Sequence, residues 1–177
     1  MRRTARLLLP LLLITLVLAG CTQPDPMPTP PPTPSAAPVF ASDEEALGAA
    51  EEAYGKFLAA LDGIFIDGGE KPERLLAVAS EEVLEQEAAG FEQLRTEALR
   101  GTGSTHAHLT LQAANLALGE VVAYSCDDIS DTDIVDRNGV SVVAERTTTV
   151  FEYEVVFSGD PLIVQSRLPW DGASVCE

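Results

Sequence analysis

Apolar residues recur at helical spacing in the first part of the chain beyond residue 40. Ser42, with Glu45 three residues later, has the pattern of a helix N-terminal capping box. The Gly68–Gly69 pair ends the run. Between these signals the apolar face is formed by Leu47, Ala50, Tyr54, Phe57, Leu58 and Leu61. The pattern predicts one long amphipathic helix.

Two further helices are predicted before the pattern changes. Pro72 suits the first turn of a short helix over 72–79, because proline is tolerated where no helical N–H bond is needed. Ser80 can cap a third helix that extends to about Leu99. The glycines that follow close the helical half of the domain.

From Thr105 the period changes to two, which predicts strands. Ala107, Leu109, Leu111 and Ala113 alternate with His106, His108, Thr110 and Gln112. A second strand places Val122, Tyr124 and Cys126 on one face. Asn138–Gly139 is a strong hairpin signal, and a long strand is expected from Ser141.

The last two predicted strands carry large apolar side chains. The apolar face of the long strand is formed by Phe151, Tyr153, Val155 and Phe157. After a turn at 159–161, period two continues through Leu162, Val164, Ser166, Leu168 and Trp170. Helices followed by an antiparallel sheet of four to five strands make an α+β domain.

The N-terminus has the layout of an export signal. Arg2, Arg3 and Arg6 precede the apolar run Leu7–Leu18, which is too short to cross a membrane comfortably as a permanent helix. A basic segment followed by a short apolar one is typical of a secretory signal peptide.

The apolar run ends Leu18-Ala19-Gly20-Cys21, which resembles the bacterial lipobox. The resemblance implies that residues 1–20 are a signal peptide that is removed. It also implies that Cys21 carries diacylglycerol and a fatty acid such as palmitate, as in other lipoproteins. Because two or more acyl chains hold a protein stably on a bilayer, we expect a lipid anchor on the extracytoplasmic face of the cell membrane. The alternative is an ordinary secretory signal, with Cys21 a spare thiol.

A proline-rich segment follows the lipobox. Residues 24–38 contain eight prolines, which exclude helix and sheet because each lacks an N–H donor and has a fixed φ. We expect residues 21–41 to be an extended tether and residues 42–177 to be the globular domain. A proline-rich ligand for an aromatic groove is the alternative for this segment.

Charge and composition limit the partners. The chain has 28 acidic and 11 basic residues, a net charge of −17, so nucleic acid is excluded as a partner on electrostatic grounds. Nine arginines against two lysines, with abundant alanine, are typical of a GC-rich bacterial genome and suggest an actinobacterial source.

Two cysteines remain once Cys21 is lipidated. Cys126 and Cys176 form an even pair in an exported domain, where the environment is oxidising. We therefore expect a disulfide between them; two separate thiols are the alternative.

The order of helices and strands resembles the nuclear transport factor 2-like superfamily over residues 43–172. That resemblance implies N-terminal helices packed into the concave side of a curved antiparallel sheet, forming a cone. A cystatin-like domain and a lipocalin-like barrel are the competing folds. In this superfamily the cone can hold a small apolar ligand, and here Tyr54, Tyr153 and Trp170 are the candidates to line it; core packing is the alternative for these aromatics.

The sequence predicts no catalytic residues, no metal site and no cofactor. His106 and His108 would share a strand face, where two metal ligands are conceivable, but surface positions are the simpler interpretation. The aspartates at 127, 128, 131, 133 and 136 lack EF-hand spacing, because Val135 and Val142 occupy ligand positions. We interpret this acidic stretch as a solvated hairpin loop.

Two functions remain. The first is a non-catalytic, membrane-anchored domain that binds an envelope protein or a small apolar ligand. The second is a small enzyme of the ketosteroid-isomerase or polyketide-cyclase kind, with a buried carboxylate base. We expect the inward strand faces to be apolar without an isolated acid, which favours the first.

Overall fold

The structure is a computed structural model that describes residues 37–176; the predicted signal peptide, Cys21 and the tether up to residue 36 lie outside the described residues. Two α-helices separated by a 3₁₀ helix precede the strands. Their bounds are α1 (Asp43–Ile66), the 3₁₀ helix (Pro72–Ala77) and α2 (Glu81–Glu97). The strands are β1 (Arg100–Thr102), β2 (His106–Asn115), β3 (Glu120–Asp128), β4 (Asp133–Val135), β5 (Val150–Ser158) and β6 (Ile163–Pro169).

The helix ends follow the local sequence signals. The Oγ atom of Ser42 accepts from the backbone N–H of Glu45, and the Glu45 carboxylate accepts from the N–H of Ala41 at 2.6 Å. Gly68 and Gly69 both have positive φ, which ends α1. Ser80 caps α2 as predicted, whereas the predicted second helix is a shorter 3₁₀ segment.

The sheet confirms the α+β prediction. Strands β2, β3, β5 and β6 form one antiparallel sheet in the order β2-β3-β5-β6, and β1 pairs with β4 in a separate two-stranded ribbon.

The predicted start of the long strand at Ser141 is wrong, because the strand, β5, begins only at Val150. Ser141 makes a single bridge to Val135. Arg146, in the intervening segment, contacts the connection between β3 and β4, because its Nη1 atom donates to the carbonyls of Ile129 and Thr132 at 3.0 and 2.7 Å.

The helices cover one face of the sheet, which we call the inner face. On β3 the buried inner positions are Val121, Ala123, Ser125 and Asp127. The three residues predicted to share a face, Val122, Tyr124 and Cys126, do share one, but it is the outer face.

The core extends towards the N-terminus beyond the predicted domain boundary. Phe40, placed in the tether by the sequence, is 8% exposed and belongs to the core cluster. The N–H groups of Val39 and Phe40 both donate to the carbonyl of Leu116, at 2.8 and 3.1 Å.

The described residues belong to one compact unit with its own core. Between residues 37 and 176, none of the helices is both long enough and apolar enough to cross a membrane.

Candidate functional site

The outer face of the sheet carries the C-terminal segment. The sulfur atoms of Cys126 and Cys176 lie 1.96 Å apart, at disulfide distance, and their Cα atoms are 5.6 Å apart. Trp170 packs on Tyr124 with ring centroids 4.7 Å apart, and the backbone N–H of Val175 donates to Glu152 at 3.1 Å. The chain after β6 is therefore fastened to the outer face by a covalent bond and by local contacts.

This arrangement separates the three aromatic residues expected to line one pocket. Trp170 lies on the outer face, away from the helices. Tyr153 is on the inner face and lines a cavity there. Tyr54 is buried on α1 beside that cavity, at 1% exposure.

A buried polar network lies between α1 and the sheet. Asp127 on β3 is 1% exposed, and its carboxylate accepts from the Tyr54 hydroxyl and from Nη2 of Arg167, both at 2.7 Å. The Ser125 hydroxyl donates to the other carboxylate oxygen. A buried carboxylate normally requires such partners, because an unpaired buried charge is costly.

Arg167 connects this network to the cavity. Its Nε atom donates to the Tyr54 hydroxyl at 2.9 Å, and its Nη1 atom is 3.4 Å from a carboxylate oxygen of Glu87. Its guanidinium carbon lies 3.4 Å from the centroid of the Tyr153 ring, a cation–π contact. Burial acts to lower the pKa of Arg167, but electrostatic interactions with Tyr54, Tyr153 and Asp127, together with the hydrogen bond to Asp127, outweigh it and raise that pKa.

The alternation of β6 is broken where it pairs with β5, and this turns Arg167 inward. The register shifts between Val156 and Phe157, so that Phe157 pairs with Val164 while Val155 pairs with Arg167. Arg167 therefore shares the inner face with Val155. Leu168, predicted on the same face as Val164, is exposed.

The cavity beside Arg167 has a volume of about 290 Å³ and lies between α1, α2, the β1–β4 ribbon and the β5–β6 side of the sheet. Its apolar lining comes from Leu58, Leu61, Phe65, Ile66, Ile129 and Ile134. Its polar lining includes Asp62, Glu87, Thr102, Thr105, Asp133, Arg146, Tyr153 and Arg167. The cavity therefore combines an apolar wall with several polar and charged side chains, and small-molecule sites are built from both kinds of group.

Two carboxylates of the cavity differ in how well they are satisfied. Asp62 accepts from the backbone N–H and the hydroxyl of Thr105, both at 2.9 Å, and so joins α1 to the start of β2. Among residues 37–176, the one hydrogen-bond partner of the Glu87 carboxylate is Nη1 of Arg167, at 3.4 Å. Burial raises the pKa of Glu87, and the opposing charge of Arg167 only partly offsets that effect.

The remaining candidates are surface groups. His106 and His108 are exposed, and Nε2 of His106 lies 3.5 Å from Asp131. Asp136 accepts from the N–H groups of Val140 and Asn138, and these backbone hydrogen bonds lower its pKa. Within residues 37–176, no cluster of three or more histidine, cysteine, aspartate or glutamate side chains is arranged to hold a metal ion.

Two predictions are wrong at Asp127. It lies in β3 and not in a solvated loop, and it is an acid on the inner face, which was expected to be apolar. The alternation of β3 indicates its position, because Val121, Ala123, Ser125 and Asp127 are spaced two residues apart and therefore share one face. The neighbouring Asp128 makes the pair resemble the start of a loop.

No protein-family model matches this chain, and no curated protein matches it either.

Proposed function

We propose that the chain is a lipid-anchored extracytoplasmic lipoprotein whose globular domain binds a small, largely apolar ligand without chemical conversion. The lipobox at Leu18–Cys21 and the proline-rich segment after it support the anchoring. Metabolic labelling with an alkyne fatty acid tests it. We expect label on the wild type and on Thr22→Ala, and none on Cys21→Ala; label retained by Cys21→Ala contradicts the anchor.

The observation that carries the binding function is the cavity of about 290 Å³ beside Arg167. Its volume is at the lower end of ligand sites, and it combines an apolar wall with pre-positioned polar groups, among them Glu87 and Arg167. The rest of the inner face supports a static role, because Tyr54, Phe57 and Phe157 pack against each other and fill that part of the interior.

We assign the finer fold to the nuclear transport factor 2-like cone. Helices that precede and cover one face of an antiparallel four-stranded sheet support this assignment. The cavity between the helices and that face also suits it.

The enzyme alternative is favoured by one observation, the position of Glu87. A partly buried cavity carboxylate with a raised pKa has the properties of a general acid or base. Asp127 does not suit that role, because Tyr54, Ser125 and Arg167 already occupy its oxygens. Isomerisation of a β,γ-unsaturated ketone that is lost in Glu87→Gln would support the enzyme over the binding domain.

The neutral fluorescent probe N-phenyl-1-naphthylamine tests the binding function. We expect saturable, one-to-one enhancement of its emission by residues 22–177, which contain the whole described unit. Thr102→Trp, in the cavity wall, should abolish the enhancement, and Thr96→Trp, exposed on α2, should not. Equal enhancement by both variants would place the probe elsewhere and contradict the proposal.

A further inference from the structure

We propose that the ligand of this cavity is an organic cation, a primary ammonium group on a short apolar body. The inference rests on the proposed binding function and names the ligand class for the same cavity. Three features carry it: the balance of charge around the cavity, the incomplete pairing of Glu87, and the shape of the apolar wall.

The charges around the cavity are predominantly negative. Asp62, Glu87 and Asp133 line it, together with Arg146 and Arg167. Arg167 is already neutralised by a carboxylate behind the wall, Asp127, at 2.7 Å. Four carboxylates against two guanidiniums leave an excess of two negative charges at the site.

Glu87 is the carboxylate with the weakest compensation. Its side chain is 23% exposed, and its contact with Nη1 of Arg167 is 3.4 Å, whereas charge-assisted hydrogen bonds are normally about 2.7–2.9 Å. Its raised pKa has the same origin, since burial outweighs the attraction of Arg167. A ligand ammonium beside Glu87 would supply the missing positive charge.

A ligand anion fits the same geometry poorly. The guanidinium of Arg167 already faces the carboxylates of Glu87 and Asp127, so an anion bound to it would lie close to two negative charges. Two of the donor groups of Arg167 are also already bonded, Nε to Tyr54 and Nη2 to Asp127. Repulsion and occupied donors both disfavour a carboxylate or phosphate ligand.

The apolar wall sets the size of the ligand body. Leu58, Leu61 and Phe65 on α1 face Ile129 and Ile134 across the cavity. A volume of about 290 Å³ accommodates an alkyl chain or a compact aromatic body with one polar group. Burying each methylene of such a body contributes about 0.8 kcal/mol.

Three probes of equal length separate charge from apolar contact: hexylammonium, 1-hexanol and hexanoate. We expect NMR titration of residues 22–177 at pH 7 to rank hexylammonium first, about tenfold tighter than hexanol, with hexanoate weakest; a charge-assisted hydrogen bond has that magnitude. Hexanol or hexanoate binding as tightly as hexylammonium would overturn the cation proposal while leaving the cavity function intact. Failure of all three to bind would contradict both.

Glu87→Gln provides the second test. It should weaken hexylammonium binding about tenfold and change hexanol binding less than twofold. Glu85→Gln, the same change at an exposed position on the same helix, should alter neither. Equal loss of hexylammonium binding in both variants, or no loss in Glu87→Gln, would overturn the assignment of the ammonium to Glu87.

Discussion

The Nη2 atom of Arg167 donates to Oδ2 of Asp127 over 2.7 Å, with the two side chains 12% and 1% exposed. The pair joins β6 to β3 across β5, which lies between them in the sheet. Tyr54 bonds to both partners and so adds α1 to the same connection. The stability of the domain and the position of the guanidinium at the cavity therefore depend on one network.

Removing the cation from this network should be strongly destabilising. Arg167→Met leaves Asp127 buried without its counter-charge, and we expect the free energy of unfolding to fall by about 3–5 kcal/mol. Urea denaturation measures the loss. Arg137→Met, at an exposed position, should change the value by less than about 0.5 kcal/mol. Equal effects of the two substitutions would show that the ion pair has no special role.

Because the pKa of Glu87 is raised, the contribution of this residue to the free energy of unfolding depends on pH, and the sign of that dependence is known. The folded domain binds the Glu87 proton more tightly than the unfolded chain, so this contribution to stability is complete below the ordinary value of 4.5 and is lost as pH rises through the folded pKa. Glu87→Gln should therefore gain stability relative to the wild type as pH rises from 4 to 7. Thermal denaturation across that range measures the difference, with Glu85→Gln as control. A difference that is constant with pH would contradict the account.

The bond between Cys126 and Cys176 closes a loop with a sequence separation of 50 residues. In the chain-entropy account of disulfides this contributes about 4 kcal/mol to stability. We expect reductant to lower the urea midpoint of the wild type and to leave the Cys126→Ser/Cys176→Ser variant unaffected. Two alkylatable thiols in the native, unreduced protein would refute the pairing.

Phe40 and Val39 test where the folded domain begins. Phe40→Ala removes a core side chain and should cost about 3–5 kcal/mol of unfolding free energy. Val39→Ala, at a side chain that is 56% exposed, should cost less than about 0.5 kcal/mol. If both substitutions are neutral in urea denaturation, the segment before Ser42 is part of the tether after all.

The elements that the sequence predicts well are those decided by local chemistry. The caps at Ser42 and Ser80 and the glycines after α1 act through backbone conformation and nearby hydrogen bonds. The pairing of Cys126 with Cys176 was expected from parity and export. Phe40 was assigned to the tether because its neighbours are prolines, although its burial depends on α1 and the sheet packing over it.

The candidate site was missed because it depends on register. Strict alternation from Val164 places Ser166 and Leu168 inward, whereas the shift opposite β5 turns Arg167 inward instead. Such an irregularity leaves no mark in the sequence. The same strict alternation predicts Trp170 inward, but the alternation that continues from Arg167 turns it to the outer face, where it packs on Tyr124.

The central claim is that the inner cavity, and not the outer face, receives the ligand. NMR mapping of N-phenyl-1-naphthylamine on residues 22–177 tests it most directly. We expect the amide signals of Thr102, Thr105 and Arg146 to shift and to saturate at one equivalent, because these residues line the cavity. The indole signal of Trp170, the single tryptophan of the chain, should stay in place. Shifts confined to Trp170 and its outer-face neighbours would contradict the claim.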